Sequence, residues 1–181
     1  MNNSLLNNSV LFAKESDAVS LLIKQLSNSE SDISLEEQQM DFSNKTIINQ
    51  SGNNHFTHLN QNGSGNEARL LSEGGFTKMK ITQTGNNNSI FSNISNNTLQ
   101  LYSTLLEQSG DGNNIELTLL GNNVNSDIER AVSVRQTGND LKFSGTYDSP
   151  DLPVKIEQKS GINGEGMDVK VTTSSFYFPE N

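Results

Sequence analysis

Glutamine, glycine and asparagine recur in one phrase, Gln-x-Gly-(Asn/Ser/Asp)-x-Asn, and each copy closes a short alternating segment. A primary amide both donates and accepts hydrogen bonds, so amides stacked about 4.8 Å apart on successive strands can bond to one another as a ladder. Glycine supplies the positive φ that a tight corner needs, and asparagine tolerates it. The residues expected to form this ladder and its turns are Gln50, Gly52, Gln61, Gly63, Gly65, Asn66, Gln83, Gly85, Asn88, Gln108, Gly110, Asn113, Gln136, Gly138, Gln158 and Gly161.

The spacing of the glutamines indicates a repeat. The interval from Gln61 to Gln83 equals that from Gln136 to Gln158, and each is twice the interval from Gln50 to Gln61. A recurring period of this size is typical of solenoids and arrays, in which each unit buries its surface against its neighbours. The chemistry that these residues predict is therefore assembly rather than catalysis.

Other chemical signals in the chain are weak. His55 and His58 are three positions apart on a predicted strand, so their side chains should face opposite sides and not share a metal ion. The turn at residues 110–114 holds one carboxylate, Asp111, which is too few for a calcium site. Neither a Gly-x-Ser-x-Gly elbow nor a phosphate-binding Gly-Lys-Ser/Thr loop occurs. We expect no enzymatic activity, no cofactor and no metal site.

Composition narrows the class of protein. The chain has 181 residues, of which 31% are hydrophobic, and a formal net charge of −9. Because an ordinary globular domain is roughly 45–50% apolar, we expect a thin core supplemented by polar ladders. The negative charge disfavours nucleic-acid binding, which needs clustered cations. No cysteine is present, no apolar run approaches the roughly 20 residues of a transmembrane helix, and the first residues lack a secretory signal, as a mature secreted form would.

From about residue 45 the hydrophobic pattern has period 2, which predicts an all-β fold of ten or eleven short strands. Counting back by twos from Gln83 places Ile81, Met79 and Thr77 on its face, whereas Lys78 and Lys80 fall on the other. The glutamine should thus lie on the inward, apolar face of each strand. We predict a β-solenoid of about five or six stacked strand–turn–strand rungs.

The rungs should be unequal. The interval from Gln83 to Gln108 is longer than that from Gln61 to Gln83, and the interval from Gln108 to Gln136 is longer still, which predicts inserted loops, for example at residues 121–127. Leu99, Leu101 and Leu105 blur the inward face of the predicted strand 98–108. Gln61 lies eleven residues after Gln50, but the residues eleven positions after the later motif glutamines are not glutamine. They include Ser72, Ile94, Leu119 and Tyr147. The ladder should therefore be continuous on one side only.

The chain divides into three predicted parts. Residues 1–44 form a leader and linker that is partly helical or disordered, because Ala18, Leu22 and Leu26 share one helical face and residues 27–39 are polar and acidic. This part is either a flexible leader or a docking segment. Residues 45–175 form the solenoid. Residues 176–181 form a tail, in which Phe176-Tyr177-Phe178-Pro179 either attaches to a partner or caps the last rung.

The intact phrase Gln-x-Gly-x-Gly-Asn-x-Ala, from Gln61 through Asn66 to Ala68, resembles the curlin repeat of curli amyloid subunits. The similarity is closest to the minor, nucleating subunits, in which the phrase occurs in both halves of a rung, as at Gln50 and Gln61 here. Residues 46–52 also resemble the opening of the first repeat in such subunits. The resemblance covers roughly residues 45–171.

The resemblance implies a secreted structural subunit of extracellular, cell-surface amyloid fibres in a biofilm matrix, with its signal peptide already removed. It implies self-association or co-assembly with a major curlin subunit, and contact with a secretion pore or outer-membrane accessory protein at one end. The irregular rungs favour a minor or nucleating subunit over the bulk fibre subunit. No nucleic acid and no transmembrane segment are expected.

Two alternatives stay open. One is a β-solenoid binding module that does not form amyloid, such as an adhesin fragment or another surface-binding protein. The outward residues are mostly Lys, Glu, Ser and Thr, without a regular Thr array or an aromatic strip, which disfavours it. The other is a largely disordered Asn-rich protein.

Overall fold

In the computed structural model, the described residues are 9–13, 20–26, 32–38, 44–97, 101–121, 130–148, 153–161, 164 and 166–173, and only the backbone course is described for the first three segments. These residues form twelve β-strands and no helix. The strands are β1 (Ser9–Ala13), β2 (Ser20–Leu26), β3 (Asp32–Gln38), β4 (Lys45–Asn62), β5 (Glu67–Thr84), β6 (Ser89–Asn96), β7 (Tyr102–Ser109), β8 (Asn114–Gly121), β9 (Arg130–Thr137), β10 (Lys142–Asp148), β11 (Val154–Lys159) and β12 (Asp168–Thr173).

All of the described strand pairs are parallel, and the chain alternates between two stacks of strands. β4 and β5 bend near their midpoints, at Gly52 and Gly74, and so contribute one segment to each stack. Stack one contains β2, residues 45–52, residues 67–74, β6, β8, β10 and β12. Stack two contains β1, β3, residues 55–62, residues 77–84, β7, β9 and β11. The predicted β-solenoid is confirmed.

The core lies between the two stacks and is thin. Along the strands from β4 to β10, buried residues alternate with exposed or half-buried ones, as in β6, where every second side chain is buried. Each inward position thus meets its register partner one rung away. The large, fully buried side chains include Ile48, Leu59, Leu70, Met79, Ile81, Ile90, Tyr102, Phe143 and Tyr147. The predicted inward face of Gln83 is correct, since Ile81, Met79 and Thr77 are buried and Lys78 and Lys80 are exposed.

The strand predicted at residues 98–108 begins later than expected. β7 starts at Tyr102, and Leu101 is 38% exposed. Tyr102 and Leu106 are buried, whereas Leu105 is only half-buried. Leu99 lies outside the described residues. The buried residues of β7 are therefore those that lie an even number of positions before Gln108. A shift of one residue would move every side chain of the strand to the other face.

The helix predicted in the N-terminal part is wrong for Ser20–Leu26, which forms β2 and pairs in register with β4. Leu21, Ile23 and Gln25 alternate as well, and they are the register partners of inward residues of β4. The edge of β4 offers unpaired backbone groups, and pairing with them outweighs a short helical pattern. Ala18 lies outside the described residues.

The linker predicted at residues 27–39 is wrong for Asp32–Gln38. These residues form β3, which pairs with the second half of β4 and with β1. Polar composition misled the prediction because only one side of a solenoid strand needs to be apolar. The stack therefore begins upstream of the boundary predicted at residue 44. The tail at residues 176–181 lies outside the described residues.

Candidate functional site

The glutamines of stack two form a continuous amide ladder. The Nε2 atom of each glutamine donates to the Oε1 atom of the next, over 2.8 Å from Gln61 to Gln83, 3.0 Å from Gln83 to Gln108, 2.9 Å from Gln108 to Gln136 and 2.8 Å from Gln136 to Gln158. All five side chains are at most 2% exposed. Burying an unpaired amide is costly, so the ladder lets five polar side chains occupy the core without that penalty.

Each of these amides from Gln83 onward also joins the two stacks. The Nε2 atom of Gln83 donates to the carbonyl oxygen of Glu67 over 3.1 Å, and that of Gln108 donates to the carbonyl oxygen of Ser89 over 3.0 Å. Glu67 and Ser89 begin strands of stack one. The ladder therefore holds the corner at which the chain passes from stack two back to stack one.

Asparagines form a second ladder at the start of the stack-one strands. The backbone N–H of Asn66 donates to Oδ1 of Asn44 over 3.0 Å, and those of Asn88 and Asn113 each donate to the preceding Asn Oδ1 over 3.1 Å. The backbone N–H of Leu141 continues the series by donating to Oδ1 of Asn113 over 3.0 Å. The Nδ2 atoms of Asn66, Asn88 and Asn113 donate to turn-glycine carbonyls over 2.7 to 2.8 Å. Asn44 belongs to this ladder and was missed by the sequence analysis, because no motif glutamine precedes it.

The turns between the two ladders stack on one another as closely as the strands do. Gly85 N–H donates to the Asn62 carbonyl over 2.9 Å, and Gly110 N–H donates to the Thr84 carbonyl over 2.9 Å. Gly85 has a φ of +112°, and a Cβ atom there would collide with the carbonyl oxygen of Gly110 on the next rung. Only glycine combines this backbone angle with such a close approach.

A third ladder runs along the exposed tips of these turns, and the sequence analysis did not predict it. All of its members except Ser160 directly follow a turn glycine. Ser64 N–H donates to Oδ1 of Asn86 over 3.1 Å, Asn86 N–H to Oδ1 of Asp111 over 2.7 Å, Asp111 N–H to Oδ1 of Asn139 over 2.9 Å, and Asn139 N–H to Oγ of Ser160 over 3.1 Å. The sequence signal for this ladder was a small polar residue directly after the turn glycine in successive copies of the phrase, namely Ser64, Asn86, Asp111 and Asn139.

Two predicted ladder residues lie at the opposite corner. Gln50 is buried in stack one, where its register partner is Ser72, and its Nε2 donates to Oγ1 of Thr57 over 2.7 Å. Gly52, which has a φ of +117°, forms the bend of β4. The positions that follow Gln50 along stack one are the four non-glutamine positions noted from the sequence. The expectation of a ladder on one side only is therefore correct.

Gly161 is the predicted turn residue that does not join the turn ladder. Ser160 occupies the register position below Gly138, since a Cβ atom on Gly138 would meet the Ser160 side chain. A Cβ atom on Gly161 would have no neighbour within 4 Å. The last turn is thus built differently from the others.

The polar cluster at the opposite corner contains a buried histidine. His55 Nδ1 lies 2.6 Å from Oγ1 of Thr77 and 3.1 Å from Oγ of Ser72, and its Nε2 lies 3.2 Å from the carbonyl oxygen of Ser51. Burial lowers the pKa of His55, partly offset by hydrogen bonds from the ring to backbone carbonyls. His58 is half-buried on the other side of the strand, as the alternation predicts.

The outer surface is mixed in charge and has only scattered apolar residues. Lys45 pairs with Glu67 at 2.8 Å and Arg135 pairs with Glu107 at 2.6 Å. Among the side chains that the structure describes, the large exposed hydrophobic ones are Phe56, Leu101 and Met167. Within the described ranges, no cluster of His, Cys, Asp or Glu side chains could hold a metal ion, and no helix is long and apolar enough to cross a membrane.

The fold and the ladders together define a parallel β-solenoid with polar, self-complementary rungs. Comparisons of the chain with protein-family models, with curated proteins and with solved structures find no match.

Proposed function

We propose that this chain is a structural subunit of extracellular, curli-like amyloid fibres, and that it acts as a minor or nucleating subunit. The observation that supports this most is the buried glutamine ladder, which runs unbroken through five rungs in strict register. Parallel in-register strands with amide ladders have the geometry of cross-β fibres. The same glutamines carry the resemblance to the curlin repeat.

The C-terminal end of the solenoid supports templating. Within the described residues, β11 pairs only with β9 and β12 only with β10, so each leaves one edge of backbone groups unpaired. Val154, Ile156, Val169 and Val171 are only partly buried there, although they pack against the core. An open edge with half-exposed apolar residues favours the addition of further strands.

The irregularity of the stack supports a minor subunit. The intervals between successive ladder glutamines are unequal, at 22, 25, 28 and 22 positions along the chain. The opposite corner carries Ser72, Ile94, Leu119 and Tyr147 in place of glutamine. A subunit that repeats many times along a fibre gains most from identical rungs, whereas one that starts a fibre needs only a compatible end. Co-assembly with a more regular major subunit, and attachment to a secretion pore or outer-membrane component, belong to the same proposal.

The test is fibre formation by the purified full-length chain. Thioflavin-T fluorescence, electron microscopy and fibre diffraction should show fibres with reflections near about 4.8 Å and about 10 Å. A trace of the chain should shorten the lag of a major curlin. A chain that stays monomeric and leaves that lag unchanged would refute the proposal and favour a solenoid binding module.

A charge placed on the open edge gives a matched comparison. Val171→Lys places a cation at an inward position of β12, whereas Thr118→Lys places one at an outward position in the middle of stack one. We expect Val171→Lys to abolish fibre growth, because an ammonium group would be buried at the joint. Thr118→Lys should grow fibres as the parent does. Equal growth of the two variants would show that the β12 edge takes no part.

A further inference from the structure

The two ends of the solenoid are stepped. At the N-terminal end, stack one finishes with β2, which pairs with β4, whereas stack two continues through β3 to β1. At the C-terminal end, stack two finishes with β11, whereas stack one continues one strand further to β12. Within the described strands, one stack therefore projects by a single strand at each end, and it is the opposite stack at the two ends.

These steps are complementary in shape. If a second copy follows the C-terminal end of the first, its β2 meets β12 in stack one while its β1 meets β11 in stack two. No strand position is left empty in either stack. If the same stack projected at both ends, the other stack would have a gap of two strand positions, with unpaired backbone groups buried in the joint.

The register of the existing pairs extends across this joint. Along stack one, Asp168 is in line with Lys142, Asn114, Ser89, Glu67 and Lys45, and the series ends at Ser20 of β2. Continuing the same register places Val169 beside Leu21 and Val171 beside Ile23 of the next copy. Along stack two, the same reasoning places Ile156 beside Leu11.

The residue types at these positions suit the joint. The partly buried apolar residues of the last rung, Val169, Val171 and Ile156, fall in line with Leu and Ile. The glutamine ladder itself ends at Gln158, because the same register places Ala13 of the next copy beside it. Gln158 Nε2 donates to the Lys142 carbonyl over 2.8 Å, but its second acceptor among the described residues, the carbonyl oxygen of Met167, is 3.5 Å away. In the preceding rungs the second N–H bonds to the next glutamine.

We propose that β1 and β2 are the docking surface for β11 and β12 of a second copy of this chain, joined head to tail in one continuous register. This inference rests on the proposed function and specifies its interface. The contact uses different surfaces on the two partners and does not close on itself, so it propagates into an open filament of fixed polarity. The N-terminal strands are then part of the fibre rather than a leader.

Engineered cysteines test the register directly, because the chain has no native cysteine. Lys24 and Thr172 are in register across the proposed joint, but they lie six strand spacings apart within one chain, or roughly 29 Å. A disulfide between these positions can therefore form only between copies. In the Lys24→Cys/Thr172→Cys variant, we expect oxidation of fibres to yield a ladder of covalent oligomers on non-reducing gels.

The control is the Lys24→Cys/Lys170→Cys variant, whose second cysteine is two positions out of register on the same side of β12. Its Cα atoms would be about 8 Å apart, which is beyond the reach of a disulfide. We expect no covalent oligomers from it. Equal cross-linking of both variants, or of neither, in fibres that do form would overturn the interface and leave the proposed function standing.

Single variants test the polarity. Fibres grown from a mixture of Lys24→Cys and Thr172→Cys chains should yield covalent dimers, whereas fibres of either variant alone should yield none. Dimers from one variant alone would mean head-to-head or side-by-side packing and would overturn the proposal. If the parent chain forms no fibres and seeds none, the proposed function fails, and this interface fails with it.

Discussion

Replacing one ladder glutamine by leucine should destabilise the solenoid by an amount that depends on its place in the ladder. Gln108 lies in the interior of the ladder. Its side chain accepts from Gln83 over 3.0 Å, and donates to Gln136 over 2.9 Å and to the Ser89 carbonyl over 3.0 Å. Leucine has nearly the same volume, so Gln108→Leu removes these bonds without opening a large cavity.

The size of the effect follows from the groups left unpaired. After Gln108→Leu, Nε2 of Gln83 keeps one acceptor, the Glu67 carbonyl, for its two N–H groups, and Oε1 of Gln136 loses its donor. Each buried unpaired group costs about 1–3 kcal/mol, and the leucine returns about 1.5–3 kcal/mol through burial. We expect a net loss of about 1–3 kcal/mol in the free energy of unfolding.

Gln158→Leu, at the end of the same ladder, is the matched control. Gln136 Nε2 has three acceptors, which are Gln158 Oε1 at 2.8 Å and the carbonyl oxygens of Asn114 at 2.9 Å and Leu141 at 3.1 Å. Without Gln158, two acceptors remain for two N–H groups. The change should therefore cost less than about 0.5 kcal/mol, in the range of substitutions away from special features.

Urea unfolding of the soluble monomer, followed by circular dichroism, measures both values. Equal losses for Gln108→Leu and Gln158→Leu would refute the reasoning, because they would show that ladder position does not matter. The Gln83→Leu/Gln108→Leu double variant adds a check. It again leaves two orphaned groups, on Gln61 and Gln136, so its loss should resemble that of one single variant rather than their sum.

Two further predictions concern the turns and the buried histidine. Gly85→Ala should destabilise the chain by at least about 2 kcal/mol, because alanine is strained at this φ and its methyl group meets the Gly110 carbonyl, whereas Gly161→Ala should be nearly neutral; equal urea midpoints would contradict this. Because burial lowers the pKa of His55 below its ordinary value, the unfolded chain binds a proton more readily, so stability should fall as the pH drops from about 7 to about 5. His55→Gln should flatten that dependence, and parallel pH profiles for the parent and this variant would exclude His55 as the cause.

The inward face of each solenoid strand and the glutamine ladder could be predicted from the sequence. The reason is that the period-2 alternation of apolar residues and the position of the motif glutamine assign the same residues to the inward face. Once Gln83 is placed inward, Ile81 and Met79 must follow. The Asn and Asp ladder at the turn tips was less accessible. Its members bond to backbone N–H groups of the preceding turn, from Asn86 to Asp111 for example. That contact depends on turns stacking in register, which no single copy of the phrase reveals.

The N-terminal strands could not be predicted, because their sequence satisfies two periods at once. Leu22 and Leu26 suit a helix, whereas Leu21, Ile23 and Gln25 suit a strand. The choice is made by β4, whose edge provides partners for β2 in stack one and for β3 in stack two. A tertiary contact of this kind overrides local propensity, and nothing in residues 20–26 alone records it.

The two corners of the solenoid differ in how much variation they tolerate, and this difference bears on assembly. Every turn from stack two to stack one between Gln61 and Leu141 spans the same number of residues and carries hydrogen bonds to its neighbours at both the strand ends and the tip. The opposite corner ranges from a bend within β4 to the longer connections after β6 and β8. At the ladder corner the same side-chain bonds repeat from Gln61 to Gln158, so every connection there must keep one length. Across the proposed joint the register places Ala13 of the next copy beside Gln158, so the joint relies on strand pairing and on the apolar inward residues rather than on the ladder. The opposite corner carries Ser72, Ile94, Leu119 and Tyr147 in place of a glutamine ladder, so its connections are free to differ in length from rung to rung.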